Sequence, residues 1–368
     1  MTHTKQKAAV RIAAIMTMVL AILVTVSFTG CQLTSLLPGA GGTQSTTPTI
    51  PLGGDLPDPP IIVPSFLHPL TGLETTEILG KARPVSVCIG NTAYALPQYG
   101  LSNAQILIEI PVEGGISRLM MITNDYEEIQ KIGSVRSTRS GLAAIANSFD
   151  TIQLFAGTSD EGESTILPYD TMDYIMQNLP SVYYRDSQIN APHNVMTSGA
   201  LIQGGIQSFG YRTEISESFA LPYIFAEYGT TIAPTDGTAT SVQLSYSPAH
   251  VVEFTYDTNE TVYIRKQFGE TQIDGNTDES LAFENVFVLF ANTITHETAN
   301  GSTVDLNLEN GGEGVWCSEG TQQYIRWNVS EDGSVQFFDS NNEIITVNRG
   351  TSYIGFMKAS MANCVKVK

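Results

Sequence analysis

The chain has 368 residues, with 18 Lys and Arg against 37 Asp and Glu and a formal net charge of −19 at pH 7. That balance excludes a general nucleic-acid binder, whose affinity rests on clustered Lys and Arg, and argues against electrostatic adhesion to anionic lipid. Only 15% of the residues are charged, while Thr, Ser, Asn and Tyr are plentiful, a composition common in β-rich secreted proteins.

The first element is a segment with an address. Lys5, Lys7 and Arg11 form a positive region, Ile12 to Phe28 carry no charge, and Phe28-Thr29-Gly30-Cys31 places small residues before a cysteine, as at a bacterial lipoprotein cleavage site. Residues 1–30 then read as a signal peptide and Cys31 as the lipidated first residue, and cleavage takes the charge to about −22 because the lost segment holds no acidic residue. The apolar run sits near the lower limit of about 17–25 residues needed to span a bilayer, so an uncleaved anchor is the alternative. Either reading puts the bulk of the chain outside the cytoplasm.

Residues 31–65 read as the lipidated cysteine and a flexible tether. Positions 32–65 hold seven Pro and five Gly and neither Lys nor Arg. Such a coil has a typical span of about 30–35 Å and reaches at most about 110 Å when extended.

About 340 residues follow the signal peptide, enough for two globular units at roughly 100–200 residues each. Apolar runs at 84–90, 104–112, 116–123 and 151–156, with helical patterns near 138–148, 170–178 and 198–208, predict a mixed α/β domain over 66–230. The polar, turn-rich stretch Gly229 to Gly237 is the best internal boundary. Short alternating runs at 241–246, 250–256, 261–265, 285–291, 303–308, 322–329, 334–338 and 343–347 predict a smaller, predominantly β domain over 238–368. The expected fold class is therefore α+β. Cys88, Cys317 and Cys364 remain after lipidation; Cys88 reads as buried packing, and a Cys317–Cys364 pair is left open.

Four constellations are candidates for chemistry. In Ala104 to Arg118, two strand-like runs flank Gly114-Gly115, which predicts a hairpin with a two-residue loop. In that register Glu109, Glu113 and Arg118 share one face. The two glutamates would lie about 13 Å apart, too far for a glycosidase pair at about 5–9.5 Å. Next, Gly133-Ser-Val-Arg136-Ser-Thr-Arg139-Ser-Gly141 leads into a helix. Its arginines and the helix N-terminus either hold an anion or pair with Glu109, Glu113 or Asp150. Third, Tyr183-Tyr-Arg185-Asp186 precedes Ala191-Pro-His193-Asn194, where His193 is a candidate acid or base or a structural residue. Finally, Asp274-Gly-Asn276-Thr-Asp278-Glu279 spaces oxygens as calcium loops do but lacks the EF-hand Gly and Glu, so it reads as a solvated acidic turn. No Gly-x-Ser-x-Gly elbow, zincin spacing or cysteine ligand set is present, and no metal or cofactor is expected.

Several segments together resemble the YerB-like lipoproteins of Gram-positive bacteria, a two-domain family whose domains are of unknown function. In the first domain the resemblance is carried by Pro69-Leu-Thr-Gly-Leu73, Arg83-Pro-Val85, Gly100-Leu-Ser102, Val112-Glu-Gly-Gly-Ile-Ser-Arg118, Ile132-Gly-Ser-Val-Arg-Ser-Thr-Arg139 and Pro192-His-Asn194. In the second it is carried by Tyr256-Asp257, Tyr263-Ile-Arg265, Asp274, Asn285-Val286, Gly312-Glu-Gly314, Trp327 and Asn348-Arg-Gly350. The resemblance implies an extracytoplasmic lipoprotein and no particular reaction.

The expected function is a membrane-anchored binding or scaffold protein at the outer face of the cytoplasmic membrane. Its cleft would be lined by Glu109, Glu113, Arg118, Arg136, Arg139, Arg185, His193 and Asn194, and would take an anionic cell-wall fragment or an envelope protein. The alternative is an envelope hydrolase or transferase using Glu113 or His193 as acid or base.

Overall fold

The computed structural model describes residues 63–298 and 301–368. The expected signal peptide, Cys31 and nearly all of the tether lie outside the described residues. Among the described residues no helix is long and apolar enough to cross a membrane.

The first half supplies strands β1 (Val85–Asn91), β2 (Ile106–Pro111), β3 (Ser117–Thr123), β4 (Ile152–Phe155) and β5 (Thr171–Asp173). Its longer helices are α1 (Ser140–Ser148) and α2 (Gly199–Phe209). The second half supplies β6 (Ser241–Ser247), β7 (His250–Asp257), β8 (Val262–Gln267), β9 (Asn285–Thr298), β10 (Gly301–Asn307), β11 (Gly312–Ser318), β12 (Thr321–Val329), β13 (Ser352–Lys358) and β14 (Val365–Val367).

A 12-stranded sheet, counted over the described residues, runs β12–β11–β9–β13–β2–β3–β1–β4–β5 through its body, with β10 paired to β9. Strand β13 lies parallel to β9 on one side and to β2 on the other, so strands from both halves share one sheet. Every residue of β1, β2 and β3 is buried, which explains why these strands read as unbroken apolar runs: both of their faces are covered. A second sheet, with β8–β7–β6–β14 in its body, covers one face and has the alternating burial of a half-solvated sheet. Between the two sheets pack Leu107, Leu119, Val242, Leu244, Phe254 and Tyr353. On the opposite face α1 lays Leu142, Ile145 and Ala146 against Ile108, Met120 and Ile122.

Strands predominate and helices are few, so the protein is predominantly β instead of an α+β mixture. The expected helix at 170–178 is β5 followed by a turn. Asp173 accounts for the change: its Oδ1 accepts from the Gly157 and Ile175 amides at 2.8 Å each, and its own amide donates to Gln177 Oε1 at 2.6 Å. Such local side-chain bonds offer the backbone an alternative to helical pairing. Cys88, Cys317 and Cys364 are all free thiols, so Cys317 and Cys364 do not pair.

Segments that look isolated in the sequence meet in pairs. The Gly350 amide donates to Thr71 O at 2.9 Å and Arg349 Nη1 to Gly72 O at 2.5 Å, which joins the 69–73 and 348–350 segments. Asp274 is fully buried and accepts from the Gly100 amide at 3.1 Å and the Ser102 amide at 2.8 Å. Its carboxylate ties two distant loops together, while Asn276, Thr277, Asp278 and Glu279 of the same turn are exposed.

Candidate functional site

The site begins with the β2–β3 hairpin. Val112 donates its amide to Ile116 O at 3.0 Å, and the paired residues are Pro111 with Ser117, Ile110 with Arg118 and Glu109 with Leu119. The loop is therefore Glu113-Gly114-Gly115, one residue longer than the sequence suggested. Gly114 and Gly115 adopt φ of 74° and 69°, left-handed values that glycine takes at little cost. A one-residue change of register moves a side chain to the other face of a sheet. Glu109 and Arg118 thus do not share a face, and the expected single cleft divides into two clusters.

Glu109 faces the second sheet and is fully buried. It accepts from Arg265 Nη2 at 2.7 Å, Tyr353 OH at 2.8 Å, Asn91 Nδ2 at 2.9 Å and Ser117 Oγ at 2.5 Å, with His250 Nε2 at 3.8 Å. Burial alone would push this carboxyl up; the Arg265 charge, His250 and the Ser117 hydroxyl outweigh it and hold it at about 2. This is a closed and nearly saturated network without an opening for a ligand, so Glu109 is a structural residue.

Arg118 faces the other way, opposite Gly90 on β1. Close to it stand Arg136 and Arg139, from the loop that enters α1, and His193. Arg139 pairs with Glu113 through a short Nη2–Oε1 contact and donates from Nη1 to Thr138 O at 2.7 Å. Arg136 Nη1 donates to Pro192 O at 3.2 Å, and the His193 ring stacks on Tyr94 with centroids 6.2 Å apart. Three guanidinium groups are gathered around one carboxylate.

The decisive detail is what these groups fail to bond. Arg118 is 5% exposed, yet its Nε and Nη1 have no partner, and neither do Arg139 Nε, Ser134 Oγ or His193 Nδ1. An unpartnered buried cation is costly, and sites that keep one generally meet an anion there. Burial, followed by repulsion from Arg139 and Arg136, brings the Arg118 guanidinium down to about 10, which still leaves it charged at neutral pH. Burial first, then Arg136 and Arg118, also lower the His193 imidazole, so it is neutral there. Glu113 is held below the usual carboxylate range, because Arg139 and backbone amides outweigh its burial. Cys88 lies beneath the arginines with its Sγ 3.3 Å from Ser137 O, and burial pushes its thiol up.

Gly90 shapes the floor of this cluster. A Cβ built there would stand 3.0 Å from Arg136 Cγ and 3.1 Å from Ser134 Oγ, closer than side chains normally pack. The α1 N-terminus does not take part. Its Ser140 and Gly141 amides donate at 2.8 and 2.9 Å to Asp305 on β10, so a carboxylate of the chain itself occupies the place expected for an anion. Asp150 bonds Arg212 and Arg83 and not the cluster. Arg185 and Asn194 pair with each other at 2.8 Å, and Arg185 donates to Tyr174 OH at 3.1 Å on an exposed ribbon.

The structure therefore gathers Glu113, Arg118, Arg136, Arg139 and His193, excludes Glu109, and gives Arg185 and Asn194 their own partners. Gly90, Ser134, Tyr94 and Asp305 were not expected. Ser134 lies within the quoted Gly133 to Gly141 motif, but nothing in the sequence separates its hydroxyl from that of Ser137. A groove of about 1000 Å³ lies elsewhere and is lined by Lys81, Arg83, Asn124, Gln203 and Tyr211, among others. Its polar groups are largely paired: Lys81 with Glu77, Arg83 with Asp170 and Gln203 with Glu127.

Comparison with known proteins bears on both halves of the chain. The family profile described as "Protein of unknown function (DUF3048) N-terminal domain" matches residues 70–212, and that described as "Protein of unknown function (DUF3048) C-terminal domain" matches residues 242–354. A curated relative, "Putative lipoprotein YerB" of Bacillus subtilis (strain 168), is 31% identical over 265 residues, which is 70% of this chain and 77% of the relative. The crystal structure of the YerB protein from Bacillus subtilis superposes with a TM-score of 0.72 at 26% identity, covering 82% of this chain and 99% of that one. Both profiles match in order, the fold is shared and the relative is covered over most of its length: the chain belongs to the DUF3048 family of YerB-like lipoproteins.

Proposed function

We propose that this protein is a lipid-anchored binding protein on the outer face of the cytoplasmic membrane, and that Arg118, Arg136 and Arg139 take an anionic group of its ligand. The lipoprotein relative and the cleavage pattern ending at Cys31 support the location. The single observation that carries the binding role is the buried Arg118 guanidinium, whose Nε and Nη1 bond nothing in the protein. An acid or base role for Glu113 is the weaker reading, since its Oε1 is held by Arg139 and its Oε2 lies 3.5 Å from the Val304 amide.

Calorimetric titration of the full-length protein in detergent with inorganic phosphate, at low ionic strength, tests this. Saturable binding that disappears in Arg118→Ala, with thermal unfolding no lower than in the parent, is the expected result. Absence of binding in the parent protein would sink the proposal.

A further inference from the structure

Tyr94 is the most exposed aromatic side chain near the cluster, at 84%. Its ring stacks on His193 at an interplanar angle of 29°, and Arg136 is tied to the neighbouring Pro192 carbonyl. Its neighbour Ala95 lies 3.6 Å from where a Gly90 Cβ would stand, beside Arg136 and Ser134. An aromatic face thus borders the arginines. Around it, Thr92 Oγ1, Ser134 Oγ and His193 Nδ1 are buried without partners. A solvent-facing ring beside an anion site is a platform for a second, flat part of a ligand, and hydroxyl and imidazole groups suit a polyol.

We infer that the ligand is an anionic saccharide, with its acid group on Arg118, Arg136 and Arg139 and its sugar ring stacked on Tyr94. This rests on the binding role proposed above and adds the class of ligand. The apolar C–H face of a pyranose covers the tyrosine ring, beside the segment that carries the unpartnered Thr92 hydroxyl. The net negative charge of the chain, which repels polyanions, does not oppose a small ligand bound through one acid group.

The test compares glucose 6-phosphate, inorganic phosphate, glucose, glucuronate and adenosine monophosphate in calorimetric titrations of the full-length protein in a sugar-free detergent. Glucose 6-phosphate is expected to bind roughly tenfold more tightly than phosphate. Tyr94→Ala removes that gap without changing phosphate affinity, and Arg118→Ala loses both ligands. Glucuronate reads which acid the arginines prefer, and glucose, which carries no acid group, is expected not to bind. Equal affinity for phosphate and glucose 6-phosphate, a gap that survives Tyr94→Ala, or tighter binding of adenosine monophosphate overturns the saccharide assignment and leaves the arginine site standing. Failure of phosphate itself to bind overturns both.

Discussion

Glu109 and Arg118 stand on adjacent antiparallel strands, one residue out of register, with their side chains on opposite faces of the same sheet. The carboxylate is enclosed by five partners from both halves of the chain, while the guanidinium lies on the other side with two nitrogens unbonded. One of these charges holds the protein together and the other is kept in want of a partner, and they respond oppositely to removal.

Glu109→Gln leaves the Arg265 charge buried without its counterion. Breaking one side of a buried pair costs about 3–5 kcal/mol, and urea unfolding near neutral pH should show a loss of that size. The pH dependence follows from the direction of the shift. The folded carboxyl sits at about 2 against an ordinary value of 4.5, so its contribution is fully present above the unfolded value and is lost as pH falls towards the folded one. The parent protein should therefore lose stability between about pH 4.5 and 2 more steeply than Glu109→Gln. Parallel slopes would show that Glu109 does not carry the acid sensitivity.

Arg118→Met removes a buried charge that has no partner and repels two others. It should raise the denaturation midpoint of the ligand-free protein, by about 1 kcal/mol or more in stability, and abolish stabilisation by added phosphate. A clear loss of stability would mean that Arg118 serves the fold.

His193 supplies a pH readout of the site. Its imidazole is neutral at neutral pH and gains a proton only below its ordinary value of 6.5, which adds a positive charge beside Arg136 and Arg118. Affinity for sulfate, which does not titrate over this range, should rise roughly three- to tenfold between pH 7.5 and 5. In His193→Gln the rise should vanish. An unchanged profile in the variant would place the titrating group elsewhere.

Asp305→Asn withdraws a carboxylate from the α1 N-terminus, where it meets the Ser140 and Gly141 amides and the Ser140 hydroxyl. Loss of such a cap costs about 0.5–2 kcal/mol. Thermal unfolding should show that loss while phosphate affinity changes less than twofold, because the Ser140 and Gly141 amides are taken by Asp305 and do not face the ligand. A collapse of phosphate binding would join the two.

Most strands were legible from local pattern. The apolar runs at 84–90, 116–123 and 151–156 became β1, β3 and β4, and the Ser198-capped pattern became α2. Legibility failed where a choice depends on one residue or on a distant partner. Gly114-Gly115 identified the hairpin, but composition does not distinguish a two-residue from a three-residue loop, and that difference decided which residues share a face. Arg265 meets Glu109 across 156 positions and Asp305 meets Ser140 across 165, and neither pairing has a local signal. The arginines at 136 and 139 were found because basic residues are rare in this chain, whereas the exposure of Tyr94 and the room left by Gly90 exist only once the fold is formed.

The placement of β13 also joins the two halves into one folding unit. Strand β13, residues 352–358, occupies the slot between β9 and β2. Without it β2 keeps an open edge and Glu109 lacks the Tyr353 hydroxyl. The N-terminal half therefore cannot complete its sheet ahead of the rest, as domains that fold unit by unit do. Loss of β13 would thus be felt in both halves at once, and the sheet closes as a whole or not at all.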